Sequence, residues 1–525
     1  MKKLVLSLVF VLLVGAVGWL GASWWIGQQT EALLRKQLEQ ANQNANMQGV
    51  KQELVSYEGS LLGAKAVTRL QVEHPVLGKW LNNLQIVHDI QNGPMMLRDG
   101  MHFGLSHWQS RLDMASLDEQ ARKFMETAFA GKEPLTAVTD IGFDQMMRTT
   151  MDISPLDAAL GESGAALKMA GAQISGEFNV DKQSGPVKMN IGAVEWRDQD
   201  MTLSLPSVEL QGHAEAEGVG AFAMKAADIK VLPAGETNGL QFDLNMESDS
   251  AIQEGSVQGK GKFQVSNVRG MDTGFKQFDL TMDYAGLNLE ALKQAQVLQG
   301  KLQTLQAQMA VDEAATELPE GQKQMEQLGI EAQEVTNQLL DVMLNQVMQA
   351  GKSSLRYDLK VALDKGVGSS KVDLLYAGSG KPIQLDDLIS YSPQDWGRLL
   401  KGSVELAADK AVVPEDLQMM LAYPLAQKAM VEQDGQYRLQ LKLSGEQAEL
   451  NGEAVAFEAL PGKFFPQMPA IDENSSMGIP PEIMQRIEQE GMSEELLKEL
   501  EGNKDIPPET QELLKQLQEM STQVQ

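Results

Sequence analysis

The sequence predicts a mainly β fold of the α+β class. A single N-terminal transmembrane helix leads into an extended antiparallel β meander, which an αα-hairpin insert interrupts and an acidic helical tail follows. Three observations predict this. The chain opens with a long uncharged run, several segments alternate apolar and polar residues, and one internal stretch carries apolar residues at spacings of three and four. A length of 525 residues allows several domains and a sizeable core.

The first element is the anchor, residues 1–27. Met1-Lys2-Lys3 precedes 23 residues without a charge, Leu4 to Ile26. At 1.5 Å per residue that run is about 34 Å long, enough to cross a hydrocarbon core of roughly 30 Å. Its apolar body includes Leu4, Phe10 and Leu20, and its far end carries Trp24, Trp25 and Ile26, where indoles favour the headgroup level. The run exceeds the apolar stretch of a cleaved signal peptide, so an uncleaved signal anchor is expected. Lys2 and Lys3 abut the run, whereas Arg35 and Lys36 are diluted by Glu31 and Glu39. The N-terminus is therefore placed in the cytoplasm and the bulk of the chain in the periplasm of a bacterium.

Residues 28–286 form the first β region, after a short helix to about Gln43 with Leu33, Leu34, Leu38 and Ala41 on one side. Leu240, Phe242, Leu244 and Met246 alternate with Gln241, Asp243 and Asn245, and Phe278, Leu280, Met282 and Tyr284 alternate with Asp279, Thr281 and Asp283. In residues 352–460, the second β region, Leu355–Leu363 and Tyr437–Leu443 repeat the pattern. Successive strand side chains point to opposite faces, so each segment has one apolar and one wet face, as in antiparallel sheets. Weaker strands are expected at Val50–Glu58, Ala64–Glu73, Leu84–Ile90, His102–Met114 and Met201–Leu210. Asn451-Gly452 marks a hairpin turn.

Between these regions, residues 287–351 read as two amphipathic helices. Leu292, Ala295, Leu298, Leu302, Leu305 and Met309 form one stripe; Met325, Leu328, Ala332, Val335, Leu339 and Val342 form the other. The ordinary expectation is that both pack on a sheet's apolar face. Residues 461–525 carry 13 acidic and 5 basic residues and repeat Ile-Pro-Pro-Glu at Ile479 and Ile506, each before a leucine-bearing helix.

Composition and motifs exclude more chemistry than they suggest. The net charge of −28 opposes phosphate-backbone binding, so nucleic acid is not an expected partner. Zero cysteine excludes disulfides, thiolate nucleophiles and Cys-ligated zinc. Gly378-Ser379-Gly380-Lys381 lacks the hydroxyl and first glycine of a phosphate loop. His74, His88, His102 and His107 cluster with Met95, Met96 and Met101, a copper-like donor set, but strand alternation would put His102 and His107 on opposite faces. No catalytic, cofactor-binding or metal site is therefore expected, and no cofactor.

Several phrases together resemble the YdgA-like family of gamma-proteobacterial envelope proteins, whose function is largely unassigned. They are Trp19-x-Gly21 with Trp24-Trp25-x-Gly27, the hairpin around Tyr57-Glu58-Gly59, His88 leading to Gly93-Pro94, Gln447–Gly452 with Asn451 and Gly452, and Phe464–Pro469. Two positions depart from the family pattern: Glu58 stands where an arginine is usual, and Asn92 where a histidine precedes Gly-Pro. The resemblance implies an inner-membrane-anchored periplasmic protein, with no reaction to carry over. The expected function is a non-enzymatic, membrane-tethered scaffold that binds envelope proteins. The alternative is lipid or amphiphile transfer through an apolar β groove, and the remote one an envelope hydrolase. Expected partners are the inner membrane, with envelope proteins, lipid or a second copy of the chain as candidates.

Overall fold

The computed structural model describes helical residues within 23–42, then residues 50–464 with short interruptions, the longest at 73–83 and 384–392. Leu4, Phe10, Leu20, Trp24 and Trp25 lie outside the described residues, as does the acidic tail beyond residue 464. Among the described residues, no helix is long and apolar enough to cross a membrane. Ile26, expected as the last anchor residue, is buried.

The described residues build one 24-stranded sheet and a separate two-stranded one. Its first part holds β1–β3 (Val50–Gly59, Gly63–Val72, Gln85–Asn92), the short pair β4 and β5 (Met95–Met96, His102–Phe103), and β6–β8 (Ser106–Leu112, Leu135–Ile141, Met146–Ile153). A helix, α1 (Glu119–Ala128), lies between β6 and β7. Then follow β9–β12 (Leu156–Leu160, Ala165–Met169, Ala172–Asn179, Gly185–Ile191) and β13–β15 (Val194–Arg197, Met201–Leu205, Val208–Ala214). The long strands β16–β19 are Gly220–Pro233, Leu240–Gln253, Ser256–Arg269 and Phe275–Asn288. After the helices α2 (Leu289–Asp312) and α3 (Pro319–Val342) come β20 and β21 (Ser354–Leu363, Gly366–Tyr376). A short helix, α4 (Pro393–Leu399), precedes β22 (Leu400–Asp409), and α5 (Glu415–Ala426) precedes β23–β26 (Val431–Gln433, Gln436–Ser444, Ala448–Leu450, Glu453–Val455).

Pairing is antiparallel throughout, and mostly between strands that follow one another. The two β regions expected from the sequence are one sheet, because β19 pairs directly with β20 across the helical insert, from Phe275↔Leu363 to Ala285↔Ser354. Residues opposite one another in an antiparallel pair share a face, so the registers can be followed from strand to strand. One row runs Ala66, His88, Ser110, Ala137, Met151, Ile174 and Met189. It continues through Leu210, Met224, Met246, Phe263, Leu280 and Leu359 to Ser370, Leu406 and Leu439. One residue over, the opposite face carries Gln211, Ala223, Glu247, Lys262, Thr281, Asp358, Lys371 and Glu405. A single apolar face thus spans the molecule.

A line of register breaks crosses the sheet. Breaks at 154–155, 170–171, 192–193 and 206–207 lie opposite one another and continue as bulges between Ala226 and Ile229 and between Gln241 and Asp243. Asp228 and Asn267 adopt left-handed backbone there, with φ of 55° and 54°. Asp243 holds both bulges: its carboxylate accepts from the Asp228 amide at 2.8 Å and from Asn267 Nδ2 at 2.5 Å. These donors hold its carboxyl below the usual carboxylate range.

The insert departs from its expected packing. Ala291, Ala295, Val342 and Val347 form one buried cluster, and Leu305, Ala332 and Val335 another, so the helices bury their stripes against each other. Contact with the sheet is made at the base, where Leu287 bridges to Met348 and Leu344 and Met348 pack near Tyr376. Two stripes that match each other close without a third surface, and the insert is an arm rather than a cover.

Candidate functional site

Among the described residues, the apolar face is covered at its ends and open in its middle. At the N-terminal end, Leu34 and Leu38 of the N-terminal helix pack on Ala66, Ile90, Trp108 and Ile141, with Tyr57 beside them. Burial, and secondarily the charge of Glu31, raise the Tyr57 phenol above its ordinary range. At the other end, Ala429, Leu439 and Leu450 are closed over by Leu460 and Phe464. Between these ends, Met189, Leu210, Met224, Phe263, Leu280 and Leu359 are only half-buried, while Met246 is 43% and Leu406 39% exposed. A neighbouring row of the same face holds Phe222, Met282, Tyr357, Val372 and Val404, of which Met282 is 39% exposed.

Three polar nodes mark the N-terminal end, and the first centres on His88. Its Nε2 lies 2.9 Å from Thr68 Oγ1 and its Nδ1 2.7 Å from Ser110 Oγ, while Gln52 Nε2 donates to Thr68 Oγ1 at 2.7 Å. Burial pushes the His88 pKa down to about 4, so the ring is neutral at pH 7. With both ring nitrogens engaged by hydroxyls and no carboxylate orienting it, His88 is a satisfied core histidine in this geometry.

The second node explains Asn92. Its Oδ1 accepts from Thr30 Oγ1 at 3.0 Å and from Ser106 Oγ at 3.1 Å, and Ser106 accepts from Trp108 Nε1 at 2.6 Å. Thr30, Asn92 and Ser106 are all buried. This bond ties the N-terminal helix to the sheet across 62 residues of chain.

Gly93 and Pro94 follow, and they turn the chain out of β3. Gly93 has φ 133°, a value that disfavours side chains. The excursion returns at Gly104, where an added Cβ would sit 2.7 Å from the Ile141 carbonyl. Between these glycines, β4 and β5 form a flap over the charged face.

The third node lies under that flap and overturns a sequence expectation. His102 and His107 belong to different strands, β5 and β6, so alternation along one strand does not govern them. Their rings stack at 4.2 Å with 25° between planes. His107 Nδ1 lies 2.7 Å from Asp140 Oδ1, and His102 Nδ1 lies 3.8 Å from the same oxygen. His107 is 2% exposed, and its Nε2 has no hydrogen-bond partner among the described residues. The pair lacks a hydroxyl on that nitrogen, so it has the orienting half of a nucleophilic triad and not the nucleophile. His74 lies outside the described residues, and His213 is an exposed residue of the charged face.

The remaining expected positions are structural. Gly59 closes β1. Asn451 and Gly452 take φ values of 51° and 86°, a two-residue turn between β25 and β26. Asn451 also joins segments: its Oδ1 accepts from the Gln440 amide at 2.8 Å, and its Nδ2 donates to the Lys428 and Ala429 carbonyls.

No curated protein and no solved structure is significantly similar to this chain. A family model described as "Bacterial protein of unknown function (DUF945)" matches residues 1–458. That span takes in the N-terminal segment, the whole sheet and the helical arm, and stops short of the acidic tail, so the chain belongs to the bacterial DUF945 family, whose function is unknown.

Proposed function

We propose that this chain is an inner-membrane-anchored envelope protein of the YdgA-like kind, with its body in the periplasm, and that it holds amphiphiles on the open middle of its apolar face without catalysing a reaction. The observation that carries the reading is the row Met189–Leu210–Met224–Met246–Phe263–Leu280–Leu359. It is continuous, uncharged and half-exposed, and it joins a closed core at each end. At roughly 4.8 Å per strand, the open strip from β12 to β22 is about 40 Å wide. Acyl chains need only apolar contact, whereas a protein partner brings polar backbone groups that need hydrogen bonds. The strip's rows of Leu, Met and Phe offer the first and little of the second. Methionines at 189, 224, 246 and 282 suit a surface that adapts to variable chains.

The test is native mass spectrometry of detergent-purified protein, with Met246→Glu and Leu280→Glu against Lys262→Glu on the opposite face. Phospholipid that co-purifies with the parent and with Lys262→Glu, but not with the apolar-face variants, is the expected result. A lipid-free parent, or equal loading in all variants, overturns it. The helical arm favours a second reading, as a protein-binding scaffold. Val297, Ile330 and Leu340 are 48%, 64% and 42% exposed on helices that already satisfy each other. A photocrosslinker at Ile330 that captures no envelope protein in cells removes that reading.

A further inference from the structure

The flap over the charged face gathers donor atoms that the folding of the sheet does not require. His107 and Asp140 face each other across β6 and β7. His102 is brought above them by the turn from Gly93 to Gly104. One donor atom from each of the three residues lies within 4.8 Å of the others. Met96, the Cα partner of His102, shares that strand pair's face and is 4% exposed, which places a thioether on the side turned inward. The two buried histidines differ in one respect. His88 has a hydroxyl on each ring nitrogen, whereas His107, equally enclosed, turns its Nδ1 toward a carboxylate with a second imidazole stacked beside it. Arg148, opposite Asp140, is engaged by Asp144 and Glu177 and does not neutralise Asp140.

We propose that His102, His107 and Asp140 bind a divalent transition-metal ion of the zinc or copper class, which fastens the flap to the sheet. Two imidazoles and one carboxylate are a common donor set for such ions, with bonds of about 2.0–2.2 Å for zinc. Bonds of that length place donors about 3–3.5 Å apart in a tetrahedron. The ion would take the place of the proton that His107 Nδ1 and Asp140 Oδ1 share at 2.7 Å, and His102, whose Nδ1 lies 3.8 Å from the same oxygen, would turn its ring out of the stack to complete the set. Water or the Met96 sulfur would supply a further ligand, the sulfur favouring copper. The site lies on the face opposite the apolar strip, so its fate is independent of lipid binding.

Zinc chloride and copper sulfate, titrated separately into the purified full-length chain by calorimetry, test the proposal. The expected result is one saturable site, weakened at least tenfold by His102→Ala and by Asp140→Asn, and unchanged by His213→Ala. Asp140→Asn retains an oxygen to accept from His107, and His102 is only half-buried in the flap, so both variants keep the sheet. Copper(II) EPR should show nitrogen coupling from two imidazoles that falls to one in His102→Ala. Zinc should also slow hydrogen exchange within 93–105. No saturable binding of either ion, or binding that both variants leave intact, overturns the proposal.

Discussion

Two stretches of the same apolar face behave as different materials. From β1 to β7 the face is closed: Leu34 and Leu38 lie over it, Ala66 is 0% and Ile90 2% exposed, and His88, which enters it, is paired by Thr68 and Ser110. From β15 to β20 the registers continue the same row, yet Met246 is 43% exposed and Leu280 is half-buried. The strand pattern does not distinguish the two, since each alternates apolar and polar residues. What differs is the presence of a helix with an apolar stripe left to spend. The N-terminal helix lays its stripe on the sheet, while α2 and α3 consume theirs on each other. The closed end is therefore expected to hold stability and the open middle to hold ligand.

The largest expected effect probes the closed end. Ile90→Ala should lower unfolding free energy by about 2–5 kcal/mol, because it empties a site the helix and sheet cannot refill. Denaturant midpoints at constant m-value check it, and a loss under about 1 kcal/mol would erase the contrast. The pH dependence comes next. With a pKa near 6.5 unfolded and about 4 folded, His88 binds its proton more readily in the unfolded chain. Its contribution is fully present above pH 6.5 and is lost as pH falls through 4, by up to about 3 kcal/mol. His88→Gln should flatten the stability profile over that window.

Smaller still is the bond between helix and sheet. Thr30→Ala leaves the Asn92 carbonyl with Ser106 alone and should cost about 1 kcal/mol. The sharper readout is hydrogen exchange in residues 30–42, which should speed while β17 and β18 stay unchanged. The smallest effect belongs to the open middle: Met246→Ala should cost under about 1 kcal/mol, since the side chain has little packing to lose. A cost equal to that at Ile90 would mean that something covers the face.

Much of the fold was legible in the sequence because strand parity is local. Leu240–Met246, Phe278–Tyr284, Leu355–Leu363 and Tyr437–Leu443 all fall within strands, and both helices of the insert form. Where the parity slips, local pattern conceals a strand: the bulge between Ala226 and Ile229 shifts the alternation of β16 midway. Glycines hid the first half of β18, where Gly259 and Gly261 stand at apolar positions. His88 was singled out as a family position, but only the structure reveals it as a satisfied core histidine. Strand parity separates His102 from His107 only in a straight strand, and the excursion between Gly93 and Gly104 brings them together.

The sequence by itself determined which side chains share a face, because backbone geometry alternates them from one residue to the next. It also determined where the chain turns, as at Asn451-Gly452, because left-handed backbone admits few residues. Tertiary structure alone decided that β19 reaches over the arm to β20, that the arm closes on itself, and that two histidines from different strands meet above one carboxylate. Each of those depends on contacts between residues far apart in the chain. Local pattern specifies that an apolar surface exists, and only the assembled chain specifies what lies against it.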